Sequence, residues 1–372
     1  MIKVVNFYNK LNEIAPFASA YSWDNCGLLI GDMEREVHKV LISLDITDKI
    51  ADYAIYHKID LIISHHPIIY QAMKSICQKK YLKLIENKIS VISAHTNLDV
   101  SKLGVNYVLA EKLGLQNIKT LNMSNDINQY QICVYIPIEY HIKVMTAMTE
   151  SGAGHIDNYS HCATYFETLG QYMPLSNSKP YQGEINKLEK NKEVKLELLC
   201  EEINLQKVIK ALFDNHPYET PVYAVIPLKQ SSPNYGLGCF GELSRSETIA
   251  YNNNEKMTLK DFSHFVKAKL NAPFVKLWLA GENKNMLINN VAVCGGSGNS
   301  LIYEAKRKAD VYVSSEFSYH QLLDAPMPII DAGHFFTENP IVERLKDIFK
   351  DFECEILTLD HQEHDIKKLI LI

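Results

Sequence analysis

The chain has 372 residues, of which 47% are hydrophobic and 22% charged, a composition that excludes disordered and fibrous proteins. At 42.4 kDa it is longer than one hydrophobic core usually grows, so two or three domains are expected. The net charge of -6 argues against a dedicated nucleic-acid-binding surface, and eight widely spaced cysteines without a Cys-x-x-Cys pair exclude a disulfide framework and a thiolate metal site.

The N-terminal sequence lacks the charged region, apolar run and small-residue cleavage site of a signal peptide. The apolar stretches all stay well below the roughly 18 residues that a membrane-spanning helix needs. We therefore expect a cytoplasmic protein without a membrane partner.

Short β-branched runs alternate with segments of helical spacing between residues 40 and 113. The predicted strands are 40–46, 59–64 and 89–94. The predicted helices run from Thr47 or Asp48 to about Lys58, then over 74–88 and 103–113. This alternation is typical of a parallel sheet with crossover helices.

The middle of the chain follows a different order. It predicts strands at 131–137, 164–168, 194–199 and 222–226, a helix at 139–150, and a helix capped by Asn204 that ends near residue 215. The order strand, helix, strand, strand, helix, strand is that of a ferredoxin-like module. The loop 174–193 between its central strands is long and polar, and it is where we expect sequence variation or a ligand to be accommodated.

Strand and helix alternate again after residue 288. The predicted strands are 291–294, 311–314, 329–331 and 356–359, and the predicted helices are 301–308, 319–324 and 340–352. The sequence therefore predicts one split α/β domain with a mostly parallel sheet, made by residues 1–127 and 230–372. Residues 128–229 are predicted to form an inserted ferredoxin-like α+β domain.

Histidines and carboxylates follow three of the predicted strands. The strand 59–64 runs into His65 and His66, and Pro67 cannot continue a central strand. Adjacent side chains on an extended segment point apart, so the two histidines are better suited to one ion each. The alternative interpretation is a strand end that carries two surface imidazoles.

The next strand leads to Asp99, and strand 329–331 leads to His334 and Glu338. Asp99 has an alternative role as the cap of the following helix. Because ligands bind at the carboxyl ends of parallel strands, we expect five side chains at the same edge of one sheet: His65, His66, Asp99, His334 and Glu338. Nitrogen and carboxylate ligands suit zinc, manganese or iron, and a pair of ions about 3.5 to 4 Å apart predicts hydrolytic chemistry.

Two further segments offer supporting groups, and a third is unusual but has no assigned function. Glu316 and His320 follow strand 311–314 and are candidates to orient a ligand or to move a proton, with helix capping as the alternative. The segment Cys294-Gly295-Gly296-Ser297-Gly298-Asn299 is either a phosphate cradle or a plain tight turn. The segment from Trp23 to Gly31 joins a loop to a strand, and its spacing assigns no function.

Five segments, taken in order, carry a family resemblance. They are Asp24-Asn25-Cys26-Gly27-Leu28-Leu29, Ser64-His65-His66-Pro67, Ala94-His95-Thr96-Asn97-Leu98-Asp99, Ala292-Val293-Cys294-Gly295-Gly296-Ser297-Gly298, and Asp331-Ala332-Gly333-His334 through Glu338. Together they resemble the NIF-three-like dinuclear-metal family, whose bacterial members are labelled GTP cyclohydrolase 1 type 2 homologues. The resemblance implies that the five residues chosen above hold two metal ions.

The middle of the chain resembles the inserted domain of the longer bacterial members. The segments concerned run from Ser151 to Cys162 and through His216-Pro217-Tyr218-Glu219-Thr220-Pro221. This insert is similar to PII and CutA-type trimeric modules, and the resemblance implies a toroidal homohexamer. Many relatives carry Thr-Gly-Asp where this chain has Ser314-Ser315-Glu316, which leaves the role of Glu316 open.

Two functions from different classes follow. The first is a metal-dependent hydrolase that acts on a nucleotide or related phosphorylated small molecule, with GTP ring opening implied by the family label and His95 or His320 moving protons. The second is a non-enzymatic hexameric metal-binding scaffold whose insert senses a small molecule. A nucleic-acid-binding ring is disfavoured by the net charge of -6.

Overall fold

A computed structural model describes residues 1–123, 128–156, 159–231 and 235–359. The described residues divide into two units. The first, called here the discontinuous unit, comes from Met1–Met123 and Asn234–Ile372, and the second, called the inserted unit, comes from Ser124–Pro233. Within the described ranges, the helices are all too short or too polar to cross a membrane.

The elements are numbered in chain order. The first segment of the discontinuous unit contains α1 Val4–Ile14, β1 Gly27–Ile30, β2 Lys39–Ser43, α2 Asp48–Tyr56, β3 Leu61–Ser64, α3 Lys79–Glu86, β4 Ser90–Ser93, α4 Thr96–Val100, α5 Val105–Lys112 and β5 Leu115–Met123. The inserted unit contains β6 Asn128–Pro137, α6 His141–Glu150, β7 Thr164–Tyr172, β8 Glu189–Glu201, α7 Glu202–Asn215 and β9 Tyr223–Ser231. The second segment of the discontinuous unit contains β10 Gly236–Leu243, α8 Arg245–Asn252, β11 Met257–Thr258, α9 Leu259–Lys269, β12 Lys276–Trp278, β13 Leu287–Ile288, β14 Asn290–Ser297, α10 Ile302–Lys306, β15 Val311–Ser315, α11 Tyr319–Leu323, β16 Ile329–Asp331, α12 His334–Glu338, α13 Pro340–Phe349 and β17 Glu355–Thr358.

The discontinuous unit is mixed α/β and has two main sheets, so the prediction of one sheet is wrong. The first sheet has the order β1-β4-β3-β2-β17, and all its pairs are parallel except β1 with β4. The second has the order β12-β16-β15-β14-β10-β5, in which only β14, β15 and β16 pair in parallel. The predicted metal ligands therefore come from the ends of strands in two sheets. Local periodicity identified the strands but carries no information about which of them pair over long distances.

Helix α5 packs into the cores of both sheets. Val105 and Val108 lie in the core of the first sheet, where Phe335 of α12 also packs. Leu109 and Ala110, one turn further on, lie in the core of the second sheet. Burying both faces of one helix fixes the carboxyl ends of β3 and β4 relative to the start of α12.

The inserted unit is an antiparallel sheet with the strand order β7-β8-β6-β9. Helices α6 and α7 pack on the same face of this sheet, because Val144 and Met148 of α6 share one core with Val208 and Leu212 of α7. The opposite face exposes part of its apolar surface, including Tyr135 and Phe166.

Several predicted boundaries need correction. Thr47 caps α2 as predicted, with its hydroxyl accepting a hydrogen bond from the Ile50 amide. Asn204 does not cap α7, which begins at Glu202 after an extended Glu201. The helix predicted from Lys74 begins only at Lys79. Strands β5 and β10 were not predicted; they pair with each other, and β10 also pairs with β14, which are long-range contacts that local pattern does not encode.

Candidate metal centre

The carboxyl end of β3 delivers two imidazoles to one site. His65 is fully buried, and the ring centroids of His65 and His66 lie 5.0 Å apart. The Ser64 hydroxyl donates a hydrogen bond to the His66 carbonyl at 2.8 Å, which ties the turn to the strand that precedes it. The rings therefore do not splay to opposite sides, as adjacent side chains on a regular strand would.

Two clusters of potential metal ligands share His66. One consists of His65, His66 and His95, and the other of His66, His334 and Glu338. Within each cluster, the side chains offer nitrogen or oxygen atoms that lie within 4.8 Å of one another. Asp99 joins them, since its Oδ1 lies 3.6 Å from His65 Nε2. The structure thus brings together all five side chains that the sequence analysis selected and adds His95; their role as ligands stays a prediction.

The four imidazoles are held in the same way, by an acceptor at Nδ1. His65 donates to the Ala94 carbonyl at 2.9 Å, and His66 donates to Asp45 at 2.7 Å. His95 donates to Asp24 at 2.9 Å, and His334 donates to Glu316 at 2.9 Å. A proton fixed on Nδ1 leaves the Nε2 lone pair free, which is the arrangement that histidine ligands of metal ions adopt in proteins.

Four buried atoms of the candidate ligands have no hydrogen-bond partner among the described residues. They are His65 Nε2, Asp99 Oδ1, His334 Nε2 and Glu338 Oε2. Glu338 Oε2 lies 2.9 Å from His334 Nε2 and 3.0 Å from His66 Nε2, but these pairs lack the alignment of hydrogen bonds. Buried polar atoms without partners are costly, and lone pairs that converge on a shared space fit a cation. The residues therefore fit divalent metal ions.

The electrostatics of the cluster favour positive charge. Burial alone would raise the pKa of Glu338, but its close contacts with the imidazoles of His334 and His66 hold that pKa well below its usual range. Burial would lower the pKa of His66, but Asp45 and Glu338 outweigh it and raise the pKa to about 10. Burial lowers the pKa of His65 to about 3, so this imidazole is neutral at pH 7. An ionised carboxylate and a neutral imidazole are the forms that bind metal, so Glu338 and His65 already have the binding form, whereas His66 would release its Nε2 proton when a cation binds.

Burial, with the nearby charge of Glu338 adding to it, also raises the pKa of Asp99 to about 7. Two carboxylates in one buried site disfavour each other's ionisation. A divalent cation between them would relieve that repulsion, which is a second reason why the donor set suits a metal.

The glycine-rich segment at the carboxyl end of β14 does not offer its glycine amides to a phosphate. The amides of Gly295, Gly296 and Gly298 already donate to the side chains of Asn106, Thr337 and Ser314 at 2.8 to 3.0 Å. This segment instead places its backbone against the candidate ligands Glu338 and His334. A Cβ added to Gly296 would lie 2.1 Å from Glu338 Oε1 and 3.1 Å from His334 Nε2. Gly296 also has a φ of +61°, so both space and backbone conformation require glycine there.

The supporting residues fall partly where the sequence placed them. Glu316 holds His334, whereas His320 is exposed on α11 and has its ring against Tyr319. His320 is therefore not part of the described cluster. Sequence reasoning missed Asp45 and Asp24 as partners of His66 and His95. Asp45 had a readable signal, since it follows β2, the parallel neighbour of β3, by two residues.

Glu316 has a strained backbone and also hydrogen-bonds to His334, a candidate metal ligand. Its φ is +61°, a region in which a non-glycine residue costs about 1 to 2 kcal/mol. Glu316→Gly is expected to raise the free energy of unfolding in the presence of a chelator. Because His334 loses its Nδ1 acceptor, the same change should weaken zinc binding about 10- to 100-fold in calorimetry. Lys58→Gly, at an exposed residue with φ +54°, should relieve strain without changing zinc affinity. Unchanged zinc affinity in Glu316→Gly would show that Glu316 does not position His334 for metal binding.

Family models, curated relatives and solved structures all relate this chain to one family. The family model Duf34/NIF3 (NGG1p interacting factor 3) matches residues 2–365. Proteins named GTP cyclohydrolase 1 type 2 homolog from Staphylococcus epidermidis and Bacillus subtilis are 36% and 38% identical to this chain; the alignments cover 94% and 87% of it and 93% and 86% of those proteins. A crystal structure of a Bacillus cereus protein related to NIF3 superposes with a TM-score of 0.83 at 32% identity, covering 100% of this chain and 99% of the other. The chain belongs to the Duf34/NIF3 family.

Proposed function

We propose that this protein is a metal-dependent hydrolase that uses two divalent cations to act on a nucleotide or a related phosphorylated small molecule. Zinc is the first choice for the ions, with manganese and iron as alternatives. The observation that carries the proposal is the set of four imidazoles, each with Nδ1 held by an acceptor and Nε2 left for a cation, around buried carboxylates that lack other partners. Bound divalent cations supply Lewis acidity and lower the pKa of water at such a site.

Glu338, Asp24 and His95 have different roles in this proposal. Glu338 is buried between His66 and His334, so it would help these two imidazoles to hold the cations. Asp24 accepts hydrogen bonds from His95 Nδ1, from the Thr96 amide and from the Thr96 hydroxyl. An imidazole supported in this way can take a proton at Nε2, because the carboxylate stabilises the imidazolium that forms. We propose His95 either as a further ligand or as the proton carrier.

The surroundings of the cluster support a substrate that is planar at one end and anionic at the other. His66 lines a cavity of about 920 Å³ that is also lined by Lys49, Lys79 and Lys80, with Asp45 and Asp48 as its acidic groups. Lysine side chains bind phosphate as point charges. On another side, the exposed Trp23 has its ring centroid 6.2 Å from that of His95, and an aromatic face of this kind stacks on a nucleobase.

GTP is the first substrate to test, because it appears in the names of the relatives. Protein loaded with zinc or manganese is expected to convert GTP to a formamidopyrimidine product detected by mass spectrometry. The control is the double variant His65→Ala with His334→Ala, which removes one imidazole from each ligand cluster. Turnover no faster than that of the double variant would reject GTP hydrolysis and leave the metal site to be judged by metal content alone.

We further propose that the inserted unit is a ferredoxin-like, PII/CutA-like module and that the chain assembles into a homohexamer. The order β7-β8-β6-β9, with both helices on one face, supports the first part. The apolar residues on the opposite sheet face, among them Tyr135 and Phe166, support self-association. The alternative function, a regulatory scaffold whose insert senses a small molecule, is favoured by a cavity in that unit.

A further inference from the structure

The inserted unit contains a cavity of about 470 Å³, a volume suited to a small ligand. It lies at the end of the sheet where β7 leads into the long loop before β8. Four tyrosines line it, Tyr135, Tyr172, Tyr181 and Tyr218, and the rings of the last three lie close together. The charged residues that line it are two carboxylates, Glu193 and Glu219, and one ammonium group, Lys179.

Glu193 is the buried charged group of this cavity. It is only 7% exposed, and its Oε1 accepts a hydrogen bond from the Tyr218 hydroxyl at 2.7 Å. Among the described residues, no lysine, arginine or histidine forms an ion pair with Glu193, although the nearby Glu197 pairs with Lys195 at 2.8 Å. Gly170 leaves the space that the carboxylate occupies, since a Cβ there would lie 2.2 Å from Glu193 Oε2. A buried carboxylate supported by one neutral donor is stabilised by a cation brought to it.

The tyrosines present fixed aromatic rings around this carboxylate. The ring centroid of Tyr218 lies 6.2 Å from that of Tyr172 and 6.4 Å from that of Tyr181. The hydroxyls of the other two rings are engaged, because Tyr172 donates to the Gln182 carbonyl at 2.7 Å and Tyr181 donates to Glu139 at 2.8 Å. Hydroxyls fixed in this way hold the rings in place and leave their faces as the contact surface for a ligand.

The segment His216-Pro217-Tyr218-Glu219, which the sequence analysis singled out, holds one wall of the cavity. His216 Nε2 donates to the Tyr135 carbonyl at 2.9 Å, and His216 Nδ1 accepts from the Tyr218 amide at 3.1 Å. The same loop places Glu219 so that its carboxylate accepts from the Lys179 amide at 2.8 Å. His216 therefore positions Tyr218, whose hydroxyl donates to Glu193. Glu219 holds this wall of the cavity against the loop after β7.

We propose that this cavity is a binding site for an organic cation of the alkylammonium class. Aromatic faces attract ammonium groups through their negative electrostatic potential, and the attraction is strongest where water is excluded. Glu193 supplies the opposite charge at the buried end. The two carboxylates outnumber the one lysine, so a triphosphate, the ligand expected of a nucleotide sensor, meets net repulsion here.

Calorimetry of the full chain with choline chloride as the probe tests this proposal. Choline is expected to bind, and its neutral isostere 3,3-dimethyl-1-butanol should bind at least about tenfold more weakly, because it keeps the shape and loses the charge. Glu193→Gln should weaken choline binding by about tenfold or more. Tyr181→Ala, at a loop residue that is 39% exposed, should also weaken binding without threatening the fold.

The matched control is Glu197→Gln, a substitution on the same strand and sheet face but outside this cavity. It should leave choline affinity within about twofold of that of the unmodified protein. Equal binding of choline and the neutral isostere, no heat from choline up to tens of millimolar, or unchanged affinity in both cavity variants would each overturn the proposal. Repeating the titration with chelator present should give the same affinity, since the metal cluster belongs to the discontinuous unit.

Discussion

Protein carrying Glu338→Gln is expected to lose most of its bound metal while remaining folded. Glu338 Oε2 lies within 3.0 Å of the Nε2 atoms of both His66 and His334, and Oε1 lies 4.0 Å from His65 Nε2. The amide keeps the size of the side chain but removes the negative charge and one strong acceptor. Removing a residue that only hydrogen-bonds to a metal ligand weakens metal binding about 10- to 100-fold. Glu338 is proposed to bind the metal directly, so its substitution should weaken binding by more than that. Metal content after dialysis, measured by plasma mass spectrometry, gives the result.

Glu343→Gln is the matched control for this substitution. Glu343 is an exposed residue one turn into α13, and it accepts a hydrogen bond from the Thr358 hydroxyl at 3.3 Å. It carries the same charge as Glu338, so a nonspecific effect of charge on metal uptake should appear equally in both variants. We expect Glu343→Gln to retain the metal content of the unmodified protein. Equal metal retention in both variants would remove Glu338 from the ligand set.

The substitution Gly296→Ala is also expected to lower the metal content of the protein. The added Cβ would lie 2.1 Å from Glu338 Oε1, closer than any real contact, and 3.1 Å from His334 Nε2. Either the glycine-rich segment or the carboxylate must move, and because Glu338 is buried beside His66 and His334, a move of its carboxylate displaces it from these imidazoles. Gly296→Ala should therefore bind less than half of the metal of the unmodified protein. The φ of +61° adds about 1 to 2 kcal/mol of backbone strain.

Gly281→Ala separates the loss of metal from the backbone strain. Gly281 has a φ of +82°, and a Cβ placed there meets no atom within 4 Å. This variant should show a similar fall in the free energy of unfolding, measured with chelator present, and normal metal content. If Gly296→Ala also keeps its metal, the turn does not constrain the ligands, and the close approach of Gly296 to Glu338 has no functional meaning.

The supporting residues of the metal cluster were harder to predict than the ligand candidates. His65 and His66 follow a buried strand directly, so a local pattern was enough to select them. Asp24, in contrast, is 71 residues from the His95 that it contacts, and it lies in a loop whose spacing carried no signal. Glu316 was selected because it also follows a strand, and it is only 18 residues from His334. A position after a strand end helped to select Glu316 but was not sufficient, because Asp45 also follows a strand and was missed.

The assignment of strands to sheets shows the same limit. Strand β17, near the end of the described chain, pairs in parallel with β2, although β16, which precedes it, belongs to the other sheet. Both strands contain an apolar, partly β-branched run, which predicts a strand but does not identify its partner. Helix α5 was predicted as one of several crossover helices, and only the structure reveals that it is buried in two cores.

The sequence by itself determined the family, the types of the elements that it predicted and the five side chains at the ends of strands that are candidates to bind metal. These depend on periodicity, on breaker residues and on motifs, all of which are local in the chain. The tertiary structure decided that two sheets contribute to one cluster, that His95 joins it, that a glycine-rich turn packs on Glu338 and that Glu193 lies buried among tyrosines. Each of these depends on which distant segments pair and pack, and that choice is made by the free energy of the whole fold rather than by any single segment.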